Sequence, residues 1–173
     1  MMGPRSDLPY YFSTLFIITA FPCIFFIFIS SYLIYQGKLG LAVIDLILYI
    51  FTLCFYFLAS CTDPGIVPRR NISSALNIGS ESENEPENFR MCTTCYTYRL
   101  KRSHHCRECD NCVEVFDHHC KFLNNCIGAR NYTFFFFFII FLSLFCIFVV
   151  ISCFTFIFSN SAKEGYGKET RNV

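Results

Sequence analysis

The chain has 173 residues, the size of one ordinary domain, but its composition excludes an ordinary soluble one. Hydrophobic residues make up 54% of it and charged residues only 16%, with 23 Phe and no Trp. This apolar content exceeds what a water-soluble globule of this size can bury, so we expect a membrane to surround part of the protein. The formal net charge of +1 says little about partners, because the charges are unevenly distributed along the chain.

Three apolar segments are long enough to cross a membrane as helices. Residues 10–35 carry no charge over 26 positions, more than the roughly 20 that a hydrocarbon core requires. The apolar part of a signal peptide has only about 7 to 15 residues, so we interpret this segment as a retained span that follows a short N-terminus at 1–9. Residues 41–60 and 132–159 are the second and third spans, and the short link between the first two predicts a helical hairpin over 10–60.

A single acidic residue, Asp45, interrupts the second span. An ionisable residue inside a membrane is by default a functional candidate. Asp45 lies only a few residues from the hairpin link, however, and we expect its carboxylate to reach the membrane interface.

The distribution of basic residues predicts the orientation of the chain. The polar segment 61–131 holds nine of the 14 Lys and Arg, whereas the hairpin link holds one, Lys38. The positive-inside rule therefore places this segment and the N-terminus in the cytosol, with the C-terminal tail at 160–173 on the opposite side. Within the segment, 61–90 is predicted to be a linker, because Asp63-Pro64-Gly65 is a turn signal and 73–88 lack aromatic residues.

Seven cysteines and all four histidines lie between Cys92 and Cys126, and we predict a metal-binding domain over residues 91–131. In a reducing cytosol such a cluster favours metal over disulfides, which would return as the alternative if the orientation were inverted. Two ligand sets read C-x2-C-x9-H-x6-C, the second 14 residues after the first. The sets are Cys92, Cys95, His105 and Cys112, and Cys106, Cys109, His119 and Cys126. Each offers Zn²⁺ a closed, structural tetrahedral site, and their interleaving makes each constrain the other.

Three members of the cluster remain outside both sets, namely His104, His118 and Cys120. A third set starting at Cys120 would need a cysteine where the chain has Leu123, so Cys120 is predicted to be free of metal. With Asp117 and His118 it can form a triad in which the carboxylate orients the imidazole and the imidazole takes the thiol proton. Two alternatives stay open. Either histidine pair could exchange ligand and non-ligand, or the module could be a catalytically silent double zinc knuckle.

Acyl transfer is the chemistry that suits an unligated thiol beside a membrane. A thiol exchanges with an acyl thioester at little cost in free energy, and the chain has no Gly-rich phosphate-binding loop. We therefore expect a long-chain acyl-CoA as donor, a membrane-proximal protein cysteine as acceptor and a ping-pong reaction. Nucleic-acid binding is disfavoured, because the module lies between two spans and its basic residues lack the interleaved aromatic residues of a base-stacking surface.

The region from 92 to 135 resembles the cysteine-rich domain of the DHHC protein S-acyltransferases, or palmitoyltransferases. The resemblance covers the eight predicted metal ligands, the Asp117 to Cys120 motif and several flanking residues. These flanking residues are Arg99, Arg102, Asn125, Ile127, Gly128, Asn131, Tyr132 and Phe135. Asp63-Pro64-Gly65 also matches a short motif that follows the second span in this family.

The resemblance implies an α-helical integral membrane enzyme of the Golgi, endoplasmic reticulum or plasma membrane. It implies that Cys120 is acylated by palmitoyl-CoA and passes the acyl group to a protein cysteine. In the family, the residue matching His118 is the base and the residue matching Asp117 orients it. The resemblance also implies two structural Zn²⁺. The acyl chain would enter a cavity between the transmembrane helices. Arg99, Lys101 and Arg102 are candidates to face the CoA phosphates, a solvated basic surface being the alternative.

The chain departs from the family pattern in three places. Lys121 and Phe122 follow Cys120 where the family has Pro-Trp, and Leu100 stands where the family has Pro. Family members normally have four spans, whereas here 14 residues follow Ser159 without another apolar segment. We therefore expect a truncated form, completed or not by an accessory subunit. The alternative function is an inactive membrane zinc module that binds partners.

Overall fold

The computed structural model describes the backbone of residues 3–69 and 90–169, and side chains up to residue 161. Within these residues, three helices are long and apolar enough to span a membrane: Arg5–Tyr35, Leu39–Cys61 and Tyr132–Ser161. The Cys/His-rich region lies between the second and the third. The predicted three-span fold class is thus confirmed. Most of the predicted linker, including all of 73–88, lies outside the described residues.

The first span is one continuous helical segment with a change of winding. After a 3₁₀ turn at Arg5–Asp7 it comprises α1 (Leu8–Phe25), a π-helical turn (Phe26–Ser30) and α2 (Ser31–Tyr35). The Ser31 hydroxyl also donates to the carbonyl of Phe26, so a side-chain hydrogen bond accompanies the π-helical turn. Because the 3₁₀ turn starts at Arg5, the helical segment begins before the predicted boundary at residue 10, and its first turn contains the acidic Asp7.

The other two spans are α3 (Leu39–Cys61) and α4 (Tyr132–Glu169). The helix α4 continues past the predicted end of the span at residue 159, because residues such as Ala162, Lys163 and Glu164 have good helix propensity and extend it beyond the apolar stretch.

Three antiparallel hairpins of the same length separate α3 from α4. Their first strands begin at residues 90, 104 and 118, so the 14-residue repeat of the sequence is also a repeat of structure. The pairs are β2 (Arg90–Cys92) with β3 (Thr97–Arg99), β4 (His104–Cys106) with β5 (Asn111–Val113), and β6 (His118–Cys120) with β7 (Asn125–Ile127). Tyr96, Asp110 and Asn124 occupy the same place in the three turns and share positive φ angles of 51°, 50° and 48°.

A short strand, β1 (Ile66–Val67), joins the second hairpin at the edge of β5. The turn before it is held by Asp63, whose Oδ1 accepts hydrogen bonds from the backbone N–H groups of Gly65 and Ile66 at 2.9 and 3.0 Å. Partial burial acts to raise the pKa of Asp63, but these bonds and the Arg130 guanidinium outweigh it and lower the pKa. Gly65 has a φ of +102°, which explains why the turn requires glycine there.

The described residues form two compact units. The first contains residues 3–14 and Phe55–Phe136, and the second contains Leu15–Cys54 and the chain from residue 137 onward. In the second unit Asp45 is fully buried and accepts a hydrogen bond of 2.7 Å from the Ser152 hydroxyl. The expectation that Asp45 reaches the interface is therefore wrong. Its partner comes from α4, 107 residues away, which the sequence around Asp45 cannot reveal.

Candidate active site and metal centres

The eight predicted metal ligands form two groups in the first unit. Cys92, Cys95, His105 and Cys112 make one, which we call site one, and Cys106, Cys109, His119 and Cys126 make the other, site two. Within each group the ligand atoms all lie within 4.8 Å of one another. Three thiols and one imidazole at this separation fit a tetrahedral structural Zn²⁺, with every donor supplied by the protein.

Site one joins the first hairpin to the second. His105 directs Nδ1 toward the sulfur atoms of Cys95 and Cys112, at 3.4 and 3.8 Å. Its Nε2 lies 3.5 Å from a carboxylate oxygen of Asp110, whose side chain is 61% exposed. Asp110 also forms an ion pair with Arg69, N to O distance 2.6 Å. Asp110, the acid beside the His105 imidazole, is therefore close to His105 in sequence and exposed to solvent.

Site two joins the second hairpin to the third. The Nδ1 of His119 lies 3.3 to 3.7 Å from the sulfur atoms of Cys106, Cys109 and Cys126. On the other edge of the ring, Nε2 donates a hydrogen bond of 2.6 Å to Asp7. Asp7 precedes α1 and lies 112 residues away in sequence.

The strand β6 separates metal binding from the proposed chemistry. Successive side chains of a strand point to opposite faces, so His118 and Cys120 share one face while His119 points to the other. His119 accordingly faces the sulfur atoms of site two. His105 and His119 lie in the two groups of candidate ligands, whereas His104 and His118 lie in neither among the described residues. Cys120 belongs to neither metal group among the residues that the structure describes.

Cys120 occupies a knuckle position but lies outside the two groups of candidate metal ligands among the described residues. It begins the turn of the third hairpin as Cys106 begins that of the second, but the residue three positions on is the buried Leu123 instead of a cysteine. The pKa of the Cys120 thiol is raised by burial, while hydrogen bonds from the N–H groups of Leu123 and Phe122 act to lower it. The same two N–H positions reach Cys106 from Cys109 and Glu108. The turn thus retains the donors that stabilise a thiolate, although no metal group includes it.

The acid and base of the predicted triad are in contact. The Nδ1 of His118 donates to Asp117 Oδ2 at 2.7 Å, which leaves Nε2 to accept a proton. The backbone N–H of Asp117 donates to the carbonyl of Ile127 at 2.9 Å, so the residue before β6 is tied to the partner strand. The His118 ring also makes an edge-on contact with Phe135, ring centroids 5.2 Å apart. The side chains of Asp117 and His118 are both about half exposed.

The third hairpin is hydrogen bonded to the C-terminal end of α3. The Asn125 amide donates to the carbonyls of Ser60 and Thr62, at 3.0 and 2.8 Å. The Ser60 hydroxyl donates to Leu123 O at 2.7 Å, and the Tyr56 hydroxyl donates to Phe122 O at 3.2 Å. The Asn125 amide thus satisfies a last-turn carbonyl that has no partner within the helix, while the Ser60 and Tyr56 hydroxyls satisfy carbonyls of the turn after Cys120. Together these bonds fix that turn to the end of a membrane span.

Asn131 makes a second connection to the same helix end. Its amide donates to the carbonyls of Ala59 and Cys126, at 3.1 and 2.8 Å, and its side-chain oxygen accepts from Gly128 N. Gly128 is itself confined, because a Cβ there would lie 2.5 Å from Pro64 O. The loop between β7 and α4 is therefore closely packed.

A basic pocket lies beside the first two hairpins. It has a volume of about 310 Å³, and its lining includes the three candidate CoA-binding residues. The lining residues are Arg90, Arg99, Leu100, Lys101, Arg102, Ser103 and His104. The Nε of Arg99 is buried without a hydrogen-bond partner among the described residues, which leaves a donor for an anion.

A family model described as DHHC palmitoyltransferase matches residues 85–172, which is half of the chain. The chain belongs to the DHHC palmitoyltransferase family. The family suggested by the sequence motifs is therefore confirmed.

Curated relatives agree with this assignment to the DHHC family. The chain is 34% identical over 188 residues to "Palmitoyltransferase ZDHHC9" of Pongo abelii, covering 96% of this chain and 51% of that protein. It is 37% identical over 155 residues to "Palmitoyltransferase ZDHHC18" of Rattus norvegicus, covering 79% and 40%. It is 35% identical over 172 residues to "Probable protein S-acyltransferase 5" of Arabidopsis thaliana, covering 83% and 36%. The chain thus spans about half or less of the length of these relatives.

The structure also places the residues that depart from the DHHC family pattern. The ammonium of Lys121 lies 5.7 Å from the centroid of the Tyr10 ring, in cation–π contact. Phe122 is 61% exposed, although its carbonyl is bound by Tyr56, and Leu100 is exposed at the basic pocket. Lys121 thus contacts Tyr10, near the start of the first span.

Sequence reasoning missed Asp7, whose partner is 112 residues away. The one signal available was that Asp7 is the only acidic residue before Asp45.

Proposed function

We propose that this DHHC family member is a protein S-acyltransferase in which Cys120 is acylated by palmitoyl-CoA and passes the chain to cysteines of membrane-associated proteins. The observation that carries the proposal is the position of Cys120. It stands outside both metal groups, on the same face of β6 as His118, whose imidazole is oriented by Asp117. The palmitoyltransferase names of the relatives support the same activity.

In the first step, His118 Nε2 takes the thiol proton of Cys120 and the sulfur attacks the thioester carbonyl carbon of the donor. A new carbon–sulfur bond forms, the bond to the CoA sulfur breaks, and the CoA thiolate recovers the proton. In the second step an acceptor cysteine gives its proton to His118 and its sulfur attacks the acyl carbon on Cys120. A carbon–sulfur bond to the acceptor forms, the bond to the Cys120 sulfur breaks, and the Cys120 thiolate takes the proton back from His118. The order is ping-pong, because CoA leaves before the acceptor reacts.

Proton transfer has to contribute more than thiol acidity. Lowering a thiol pKa from about 8.5 to 7 raises the thiolate at pH 7 roughly 16-fold, but the loss of nucleophilicity removes about 5-fold of that gain. The net benefit of about 3-fold is small beside the roughly 10²–10⁴-fold that a placed base supplies. The hydrogen bond between Asp117 and His118 therefore matters chiefly for orienting the base.

Two Zn²⁺ ions would be held by the eight ligands of sites one and two. Their contribution is structural, since each bound Zn²⁺ stabilises a folded module of this kind by on the order of 10 kcal/mol. Site two holds β6 through His119, and the position of the adjacent Cys120 depends on it.

Two features support the choice of donor. The basic pocket presents Arg99, Lys101 and Arg102, which suit the phosphates of CoA. The second unit contains an apolar groove of about 440 Å³, lined by residues that include Phe21, Phe25 and Phe145, which suits an acyl chain. We place the active site on the cytosolic face of a Golgi, endoplasmic reticulum or plasma membrane, in keeping with the charge distribution.

The test is covalent labelling. The full chain in detergent is incubated with labelled palmitoyl-CoA, and a hydroxylamine-labile adduct is expected in the wild type and absent in Cys120→Ser. A chase with an acceptor peptide carrying one cysteine should move the label to the peptide after free CoA is removed, which tests the two-step order. Equal labelling of wild type and Cys120→Ser would refute the proposal and favour an inactive zinc module.

A further inference from the structure

The first described residues of the chain lie against site two. Asp7 is 2% exposed, and its Oδ2 accepts the hydrogen bond of 2.6 Å from Nε2 of His119. Its Oδ1 lies 3.5 Å from the Ser6 hydroxyl, a long hydrogen bond, and its backbone N–H donates to Pro4 O. Asp7 immediately precedes α1, where the partial positive charge of a helix N-terminus favours a carboxylate. Its buried carboxylate is thus paired on both oxygens.

The contact between Asp7 and His119 is sheltered from solvent. The side chains of His119 and Asp7 are only 8% and 3% exposed. The corresponding pair of site one, His105 with Asp110, has a longer separation of 3.5 Å and an acid that is 61% exposed. Burying a charged carboxylate costs free energy unless the group is hydrogen bonded. The bond to His119 therefore compensates for the burial of Asp7.

Other contacts of the N-terminal segment reach the turn after Cys120. The backbone N–H of Gly3 donates to Asn124 O, and a Cβ at Gly3 would lie 2.9 Å from that oxygen. The Tyr10 ring lies beneath the ammonium of Lys121. The Tyr11 ring stacks on Tyr56, centroids 5.9 Å apart. The segment before and at the start of the first span is therefore in contact with the turn that contains residues 121–124.

We propose that Asp7 is a positioning residue for site two. A histidine that binds metal through Nδ1 carries its hydrogen on Nε2, and a carboxylate that accepts this hydrogen fixes the tautomer and the orientation of the ring. Asp7 performs this role for His119 and so links the beginning of the first span to the metal site beside Cys120. The inference concerns metal retention and does not depend on whether Cys120 is acylated.

The experiment measures zinc in the full chain purified in detergent. Loss of such a carboxylate partner typically weakens metal binding by about 10- to 100-fold. Asp7→Ala should therefore release one of its two zinc ions to a chromogenic chelator about 10- to 100-fold faster than the wild type, and the other at the wild-type rate. Asp7→Asn, whose amide oxygen can still accept the hydrogen bond, should release zinc at an intermediate rate.

Two controls make the test specific. Asp110→Ala removes the exposed acid beside His105 and should change zinc release by less than about 3-fold, since surface contacts of this kind contribute little. In a His119→Cys background the imidazole is gone, so adding Asp7→Ala should no longer accelerate release. The proposal is overturned if Asp7→Ala retains both ions normally, loses both ions to the same extent, or has the same effect in the His119→Cys background.

Discussion

The second and third hairpins have the same backbone register but different chemistry. In both, a cysteine ends the first strand and pairs with an asparagine that begins the second, Cys106 with Asn111 and Cys120 with Asn125. In the second hairpin a further cysteine, Cys109, completes the turn, whereas the third has Leu123 at that place. The comparison shows how the repeat of the ligand spacing can end and leave one thiol, Cys120, outside both groups of candidate ligands.

The largest difference is expected between the two histidines that begin these hairpins. His118→Ala removes the proposed base and should lower autoacylation of Cys120 by about 10²–10⁴-fold. His104→Ala, the same change one repeat earlier, should lower it by less than tenfold, because His104 lies at the edge of the basic pocket. Initial rates with labelled palmitoyl-CoA measure both effects, and zinc content should stay at two per chain. Equal losses in the two variants would remove the distinction between the hairpins.

Replacing Leu123 with cysteine should make the third hairpin resemble the second. The thiols of Cys120 and the new cysteine would then form a candidate metal-binding pair like that of Cys106 and Cys109. We expect added Zn²⁺ or Cd²⁺ to inhibit autoacylation of Leu123→Cys by at least about tenfold, reversibly with chelator, because metal ligation removes the nucleophile. Leu123→Ser creates a similar cavity without a second thiol, and metal should leave its labelling unchanged. Inhibition of both variants alike would argue against the analogy.

The two asparagines should differ in their contribution to stability. Asn125→Ala removes buried hydrogen bonds to the end of α3 and should reduce the free energy of unfolding by about 1–3 kcal/mol. Asn111 donates to Cys109 O within its own turn, and Asn111→Ala should reduce it by less than about 1 kcal/mol. Thermal unfolding in detergent, followed by circular dichroism, compares them. A smaller decrease in melting temperature for Asn125→Ala than for Asn111→Ala would contradict the assigned role.

The smallest effects are expected from two exposed ion pairs. Arg69 pairs with Asp110 beside site one, and Arg130 pairs with Asp63 next to the third hairpin. Arg69→Gln and Arg130→Gln should each change stability by less than about 1 kcal/mol, since solvent screens exposed charges. The same thermal assay checks this. A loss of stability well above about 1 kcal/mol in either variant would show that this exposed ion pair stabilises its hairpin.

The parts of the structure that repeat in sequence were predictable, and the parts joined over long distances were not. The ligand spacing shows that His105 and His119 are followed seven residues later by cysteines, so the grouping of each set could be proposed from the chain alone. The spans were predictable because length and apolar composition are themselves the physical requirement for crossing a membrane.

The sequence contains no pattern that predicts the long-range polar contacts, unlike the ligand spacing and the apolar segments. Asp7 with His119, Asp45 with Ser152 and Asn131 with Ala59 join residues 112, 107 and 72 positions apart. A lone acid or amide is compatible with many partners, and only the folded arrangement chooses one. The prediction for Asp45 was wrong for this reason, since its local position near the hairpin link was correct but its partner was unknown.

The hydrogen bonds from Asn125 and Asn131 to the last turn of α3 have a consequence for which proteins could react. They fix the height of the Cys120 turn relative to the end of a helix that spans the bilayer. A thiol held at a fixed height can contact only those acceptor cysteines that extend to that height. An extended polypeptide segment covers about 3.3 Å per residue. If Cys120 transfers an acyl group as proposed, the number of residues between an acceptor cysteine and its own membrane anchor would then help to determine which proteins react.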